Sequence, residues 1–193
     1  MTKENETDED NNLFWKSKLF IIDKGLGIAG CGLKTDLQIV IKRARKIAKN
    51  FSFAYGKQMP VNLLANEISK FFQEFTYSGG VRPFGLSIFI IGSGTEGPEL
   101  YQINPDGNLF CIRANLIGKK SNFGMQFLTK RWSKNLSHEE ILSLGFLSLK
   151  EANDGRLMVS SIRAAILDET GNFKILSKKD ISLIFSNVRL EER

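Results

Sequence analysis

The order of elements along this 193-residue chain predicts an α+β fold: two antiparallel sheets with helix pairs outside them. Three observations carry that reading. Strands and helices arrive in groups (strand pair, two helices, strand and hairpin, two helices, hairpin, helix) rather than alternating as in a parallel sheet. Leu86-Ser87-Ile88-Phe89-Ile90-Ile91 is almost wholly apolar, as expected of a strand covered on both faces. Ile141 to Glu151 carries Ile141, Leu142, Leu144, Phe146, Leu147 and Leu149, the pattern of a helix buried between layers.

Residues 1–12 hold Glu4, Glu6, Asp8, Glu9 and Asp10 against Lys3 and have no hydrophobic period, so they read as a disordered acidic tail. Lys18–Ile22 and Leu26–Cys31 read as strands joined at Asp23-Lys24-Gly25. A helix follows, with Thr35 and Gln38 at capping-box spacing and Asp36 near the positive end of its dipole. Leu37, Val40, Ile41, Ala44, Ile47, Ala48 and Phe51 form its apolar stripe. Lys42, Arg43, Arg45, Lys46 and Lys49 occupy the remaining surface, as a solvated face or a phosphate-binding one.

Pro60 starts a second helix whose inward residues are Val61, Leu64, Ile68, Phe71, Phe72 and Phe75. Gly79 and Gly80 end it, and Pro83 pushes Arg82 towards an extended conformation before the apolar strand. Leu100–Ile103, the turn Asn104-Pro105-Asp106-Gly107 and Leu109–Ile117 read as a hairpin. Gly118 leads into a helix bearing Phe123, Phe127, Leu128 and Trp132. Ser137 and Glu140 form a capping box for the next helix. Ser161–Asp168 and Phe173–Leu176 make a last hairpin around Glu169–Asn172, and Ser177 starts a helix with Ile181, Ile184 and Phe185 inward.

The composition is that of an ordinary soluble domain with one core and no repeat. No apolar run approaches the roughly 20 residues a bilayer demands, and the polar start is no signal peptide. Cys31 and Cys111 lie in expected strands and read as buried thiols rather than a disulfide. With a single histidine and no CxxC, a Cys/His zinc site cannot be built, and no cofactor is implied. The net charge of +6 is divided between −4 in residues 1–12 and +10 in the remainder. That basic body is scattered, with no nucleic-acid-binding motif around it, so nucleic acid is not the expected partner.

Several segments resemble the alpha subunits of the proteasome core particle. The most specific is Gln73 to Gly85, ending Ser78-Gly79-Gly80-Val81-Arg82-Pro83-Phe84-Gly85. Gly32-Leu33 before Asp36, Arg43-Ala44-Arg45-Lys46, Asn104-Pro105-Asp106-Gly107, Gly118-Lys119, Phe127–Arg131, Leu147–Glu151 and Asp168–Phe173 are similar to family motifs in the same order. The resemblance spans roughly Ile21 to Phe185, and its wording is most similar to the alpha type 2 branch.

The resemblance implies a four-layer αββα sandwich of the N-terminal-nucleophile hydrolase type, with residues 13–193 as the family domain. It implies a non-catalytic ring subunit in the cytoplasm and nucleus, serving ubiquitin-dependent protein degradation. Its partners would be other alpha subunits, beta-ring subunits and an activator or regulatory particle, with no membrane. Gly32 and Leu33 match the backbone turn of the activator-docking pocket. Gly79, Gly80, Arg82, Pro83, Phe84 and Gly85 would order the corner and its contacts in the ring.

The start of the chain departs from that pattern. Where the family has a gate tail, a short helix and a strand hairpin, this sequence has the acidic tail and Leu13-Phe14-Trp15, so an assembled ring is expected to be leaky here. An alternative, a threonine hydrolase headed by Thr2 after removal of Met1, lacks a strand to hold that threonine and the lysine and aspartate it would need. A second alternative is a degenerate relative that binds nucleic acid through its basic surface, with the steep salt dependence such binding shows.

Overall fold

The computed structural model describes residues 17–94, 97–158, 161–168 and 170–191, with side chains up to residue 186. The acidic stretch 1–12, Thr2 and Leu13–Trp15 lie outside the described residues, as does Glu169 of the last turn. The fold is α+β, as the sequence predicts, and the chain divides into two compact units that meet in sequence at Cys111 and Ile112.

The first unit is a five-stranded antiparallel meander, ordered as in the chain: β1 Leu19–Asp23, β2 Leu26–Gly32, β3 Leu86–Ser93, β4 Pro98–Ile103 and β5 Leu109–Ile112. Register is set by burial, since a one-residue slip would turn every apolar side chain to the wrong face. Phe20 stands opposite Ile28, and Ile28 opposite Ile90. Two helices, α1 Lys34–Tyr55 and α2 Val61–Tyr77, pack on this sheet. Their stripes supply Val40, Ile41, Ala44, Ala48, Val61, Leu64, Ala65, Ile68 and Phe72, all fully buried with Leu26, Ile28, Ile88 and Ile90. Ser69 and Gln73 of α2 donate to the Gly107 carbonyl at 2.7 and 3.3 Å, pinning the β4–β5 turn to the helix.

The second unit contains α3 Ser121–Arg131, α4 His138–Ala152, the two-stranded hairpin β6 Ala165–Leu167 and β7 Phe173–Ile175, and α5 Lys178–Glu191. Gly124 lets α3 lie close on α4: a Cβ there would stand 2.5 Å from the Ser148 carbonyl. The expected capping box at Ser137 and Glu140 is formed in both directions. Ser177 and Asp180 cap α5 in the same reciprocal manner. Its core is smaller: Phe146, Ile162, Ile181 and Phe185 form one buried cluster, with Phe146 edge-on to Phe185 at 6.3 Å, and Leu128, Leu144, Ala152 and Phe173 are buried besides.

Several expectations are corrected. Thr35 and Gln38 form no capping box: α1 begins two residues earlier than that box would place it, with Leu33 as an extended N-cap that makes no side-chain bond. Cys31 is half-buried and Cys111 exposed, because each sits near a strand end rather than in the buried middle of the sheet. The helix at Ile141 is not buried all round: Ile141 and Leu149 are exposed while Leu144, Phe146 and Ser148 face inward. On β3 only one face is buried, Ser87, Phe89, Ile91 and Ser93 being half-covered. The strands expected over 109–117 and 161–168 are shorter, ending at Ile112 and starting at Ala165.

Candidate functional site: the corner joining the two helices to the sheet

The Gly32–Leu33 turn and the Arg82–Gly85 corner, about fifty residues apart in sequence, form one site. Pro83 disfavours the helical region for Arg82, at the point where the chain leaves α2 and enters β3. Phe84 is then driven inward. It is 4% exposed and meets three rings of α2, with centroid distances of 5.3 Å to Phe71, 4.7 Å to Phe72 and 4.5 Å to Phe75. Those tilted contacts make an aromatic socket that anchors the corner to the core.

Asp36 ties the corner to the turn. Arg82 grips it with two parallel bonds, Nη1 to Oδ2 and Nη2 to Oδ1, each 2.7 Å. The Gly85 N–H donates to the same Oδ2 at 2.9 Å, and the Thr35 hydroxyl reaches Oδ1 at 3.5 Å. The Gly85 carbonyl in turn accepts from the Leu33 N–H at 2.9 Å. The Gly85 residue is therefore held from both sides, by the carboxylate and by the turn. Asp36 has 4% of its side chain exposed against 62% for Arg82, so the anion is the buried member. Hydrogen bonds from Arg82, joined by that from Gly85 and by the guanidinium charge, hold the carboxyl below its ordinary range despite burial.

Two glycines are required by this closeness. Gly32 has φ +139°, and a Cβ there would stand 2.3 Å from the Gly85 carbonyl oxygen. A Cβ on Gly85 would stand 2.7 Å from Leu33 Cδ1. Leu33 itself is 49% exposed, an apolar side chain presented at the surface directly over Gly85.

Sequence reasoning named Gly32, Leu33, Arg82, Pro83, Phe84 and Gly85, and the structure brings these together. Gly79 and Gly80 stand apart: α2 ends at Tyr77 with Ser78 as its extended cap, and the two glycines follow it, with open space around both and φ +83° at Gly80. Asp36 as the joining residue went unread, because its sequence neighbourhood signals only a helix start. The basic face of α1 is partly spoken for: Arg45 donates to the Ile21 carbonyl at 2.9 Å, Lys49 pairs with Asp23, and Arg43 lies over Phe71 at 5.3 Å. His138 is exposed in the first turn of α4. Tyr101 donates to Glu99, and burial with that bond pushes its phenol up to about 12, so it stays neutral. Among the described residues no three His, Cys, Asp or Glu side chains are grouped to hold a metal, and no helix is long and apolar enough to cross a membrane.

The model of the family described as "Proteasome subunit" matches residues 5–166. Proteasome subunit alpha type-2 of Dictyostelium discoideum is 35% identical over 164 residues, 85% of this chain and 71% of the relative. Proteasome subunit alpha type-2 of Oryza sativa subsp. indica is 33% identical over the same share of this chain and 70% of its own length. That of Drosophila melanogaster is 36% identical over 146 residues, 76% of this chain and 62% of the relative.

Proposed function

The chain belongs to the proteasome subunit family, and we propose that it serves as a non-catalytic alpha-ring subunit of the core particle. In that role it packs against neighbouring alpha subunits and a beta ring and caps the chamber in which proteins are degraded. The Gly32–Leu33 turn is the point at which an activator or regulatory particle docks, and the setting is ubiquitin-dependent degradation in cytoplasm and nucleus.

The observation that carries this reading is the locked corner. The segment most similar to the alpha subunits, Ser78–Gly85, is fastened through Asp36 and Gly85 to the turn that the same resemblance marks for docking. A corner this rigid is suited to presenting Leu33 to a partner.

The test is capture of particles through a tag on Arg193, followed by native mass spectrometry. The expected result is a particle of several hundred kilodaltons containing other alpha-type chains and inactive without its beta subunits. A lone chain of 21.7 kDa would contradict the reading.

A further inference from the structure

We propose that Arg82 and Asp36 are positioning residues for the Gly32–Leu33 turn: the pair sets the backbone that a docking partner meets, without either residue needing to touch that partner. The inference rests on the reading of this turn as a docking point and names what holds it in shape.

The chain of contacts is short and has one route. Arg82 fixes the plane of the Asp36 carboxylate by its two 2.7 Å bonds, and that plane aims Oδ2 at the Gly85 N–H. Gly85, thus held, offers its carbonyl to the Leu33 N–H. The interlocking of Gly32 against the Gly85 carbonyl, and of Gly85 against Leu33 Cδ1, leaves the turn little freedom once Gly85 is fixed. A planar, forked guanidinium can impose such an orientation, whereas an ammonium group is a point charge that cannot.

The distribution of burial argues that this is more than a fold-stabilising pair. Phe84, in its three-ring socket, already anchors the corner to the core. Arg82, mostly exposed, adds little buried surface there. Among the described residues it donates to Asp36 and to the neighbouring Pro83 carbonyl, the latter at 3.0 Å. What the guanidinium contributes is direction, delivered to the one peptide group that Leu33 leans on.

The experiment uses assembled core particles carrying the wild-type chain, Arg82→Met, Arg82→Lys or Leu33→Asp. Each is titrated with regulatory particle purified from the same cells, and hydrogen exchange is followed in peptides covering residues 29–35, 84–90 and 40–48. Arg82→Met is expected to speed exchange at the Leu33 and Gly85 amides about tenfold while the α1 peptide is unchanged. It is also expected to weaken regulatory-particle binding about three- to tenfold, with Arg82→Lys recovering only part of either effect. Unchanged exchange at both amides in Arg82→Met overturns the proposal. So does faster exchange with native binding, provided Leu33→Asp does weaken binding. If Leu33→Asp leaves binding intact, the docking reading itself has failed, and the positioning role falls with it. Should Arg82→Met not assemble, Asp36→Asn, which keeps an acceptor for Gly85 but loses the charge pair, carries the same comparison against Arg82→Lys.

Discussion

Two ion pairs close the two units of this chain, and they are built differently. In the first unit a buried carboxylate, Asp36, takes both arms of Arg82, a backbone N–H and a hydroxyl. In the second, Lys120 and Asp154 pair at the surface, 40% and 66% exposed, and both lie in the left-handed region, at φ 59° and 53°. The cores around them differ likewise. The first unit closes around some twenty buried apolar residues; among the described residues the second has eight, four of them in its central cluster. The lesson is that a charge pair gains energetic weight from what it is packed into. Buried and multiply bonded, it locks a backbone; exposed and alone, it is worth about 0–1 kcal/mol.

That contrast can be broken at five points, here in descending order of effect. Phe84→Ala empties the aromatic socket and should cost about 3–5 kcal/mol, read as a lower urea midpoint of the purified chain. Gly32→Ala forces a Cβ against the Gly85 carbonyl at a positive φ. Its expected cost of about 1–3 kcal/mol is measured the same way.

Arg82→Met should lower the urea midpoint near neutral pH, by less than the loss of a fully buried pair would, because the guanidinium is mostly exposed. Its pH dependence has a definite sign. The folded-state pKa of Asp36 is depressed, so the pair's contribution is fully present above the ordinary carboxylate range and is lost as pH falls through the folded value. The stability gap between wild type and Arg82→Met should therefore be flat near pH 7 and close on acidification. A gap that widens on acidification would contradict the assignment. In the second unit, Asp154→Asn removes the surface pair but supplies a residue that tolerates the left-handed region, so its cost should stay under about 1 kcal/mol. Ile141→Ser, on the exposed side of α4, should change stability by less than about 0.5 kcal/mol. A large loss at either place would mean the second unit is more tightly built than its burial shows.

Much of this was legible in the sequence, for reasons that are local. Pro60, Pro83, the stripes of α1 and α2 and the Ser137–Glu140 box all act over a few residues, and each stands where its spacing places it. The Asn104–Gly107 turn was readable too, though not that Ser69 and Gln73 would hold it. What was missed depends on distant partners. Thr35 and Gln38 have the spacing of a cap, but the close approach of Gly85 to Leu33 extends Leu33 and starts the helix there instead. Asp36 reads as a helix-dipole acid, and nothing near it announces an arginine forty-six residues on. Cys111 was expected inside because strands are usually buried at their centres, but β5 is four residues long and has hardly any centre. The apolar α4 shows the limit of composition: periodicity says which residues could be buried, and only packing says against what.

The central claim is that Asp36 and Arg82 act as one unit joining the turn to the corner. A double-mutant cycle tests it most directly: urea unfolding at pH 7 of the wild-type chain, Asp36→Asn, Arg82→Met and the double variant. The expected coupling is about 1–2 kcal/mol, the double variant losing little more than either single one. Losses that simply add, to within about 0.3 kcal/mol, would mean the two residues stabilise the fold separately and the site is not the joint described.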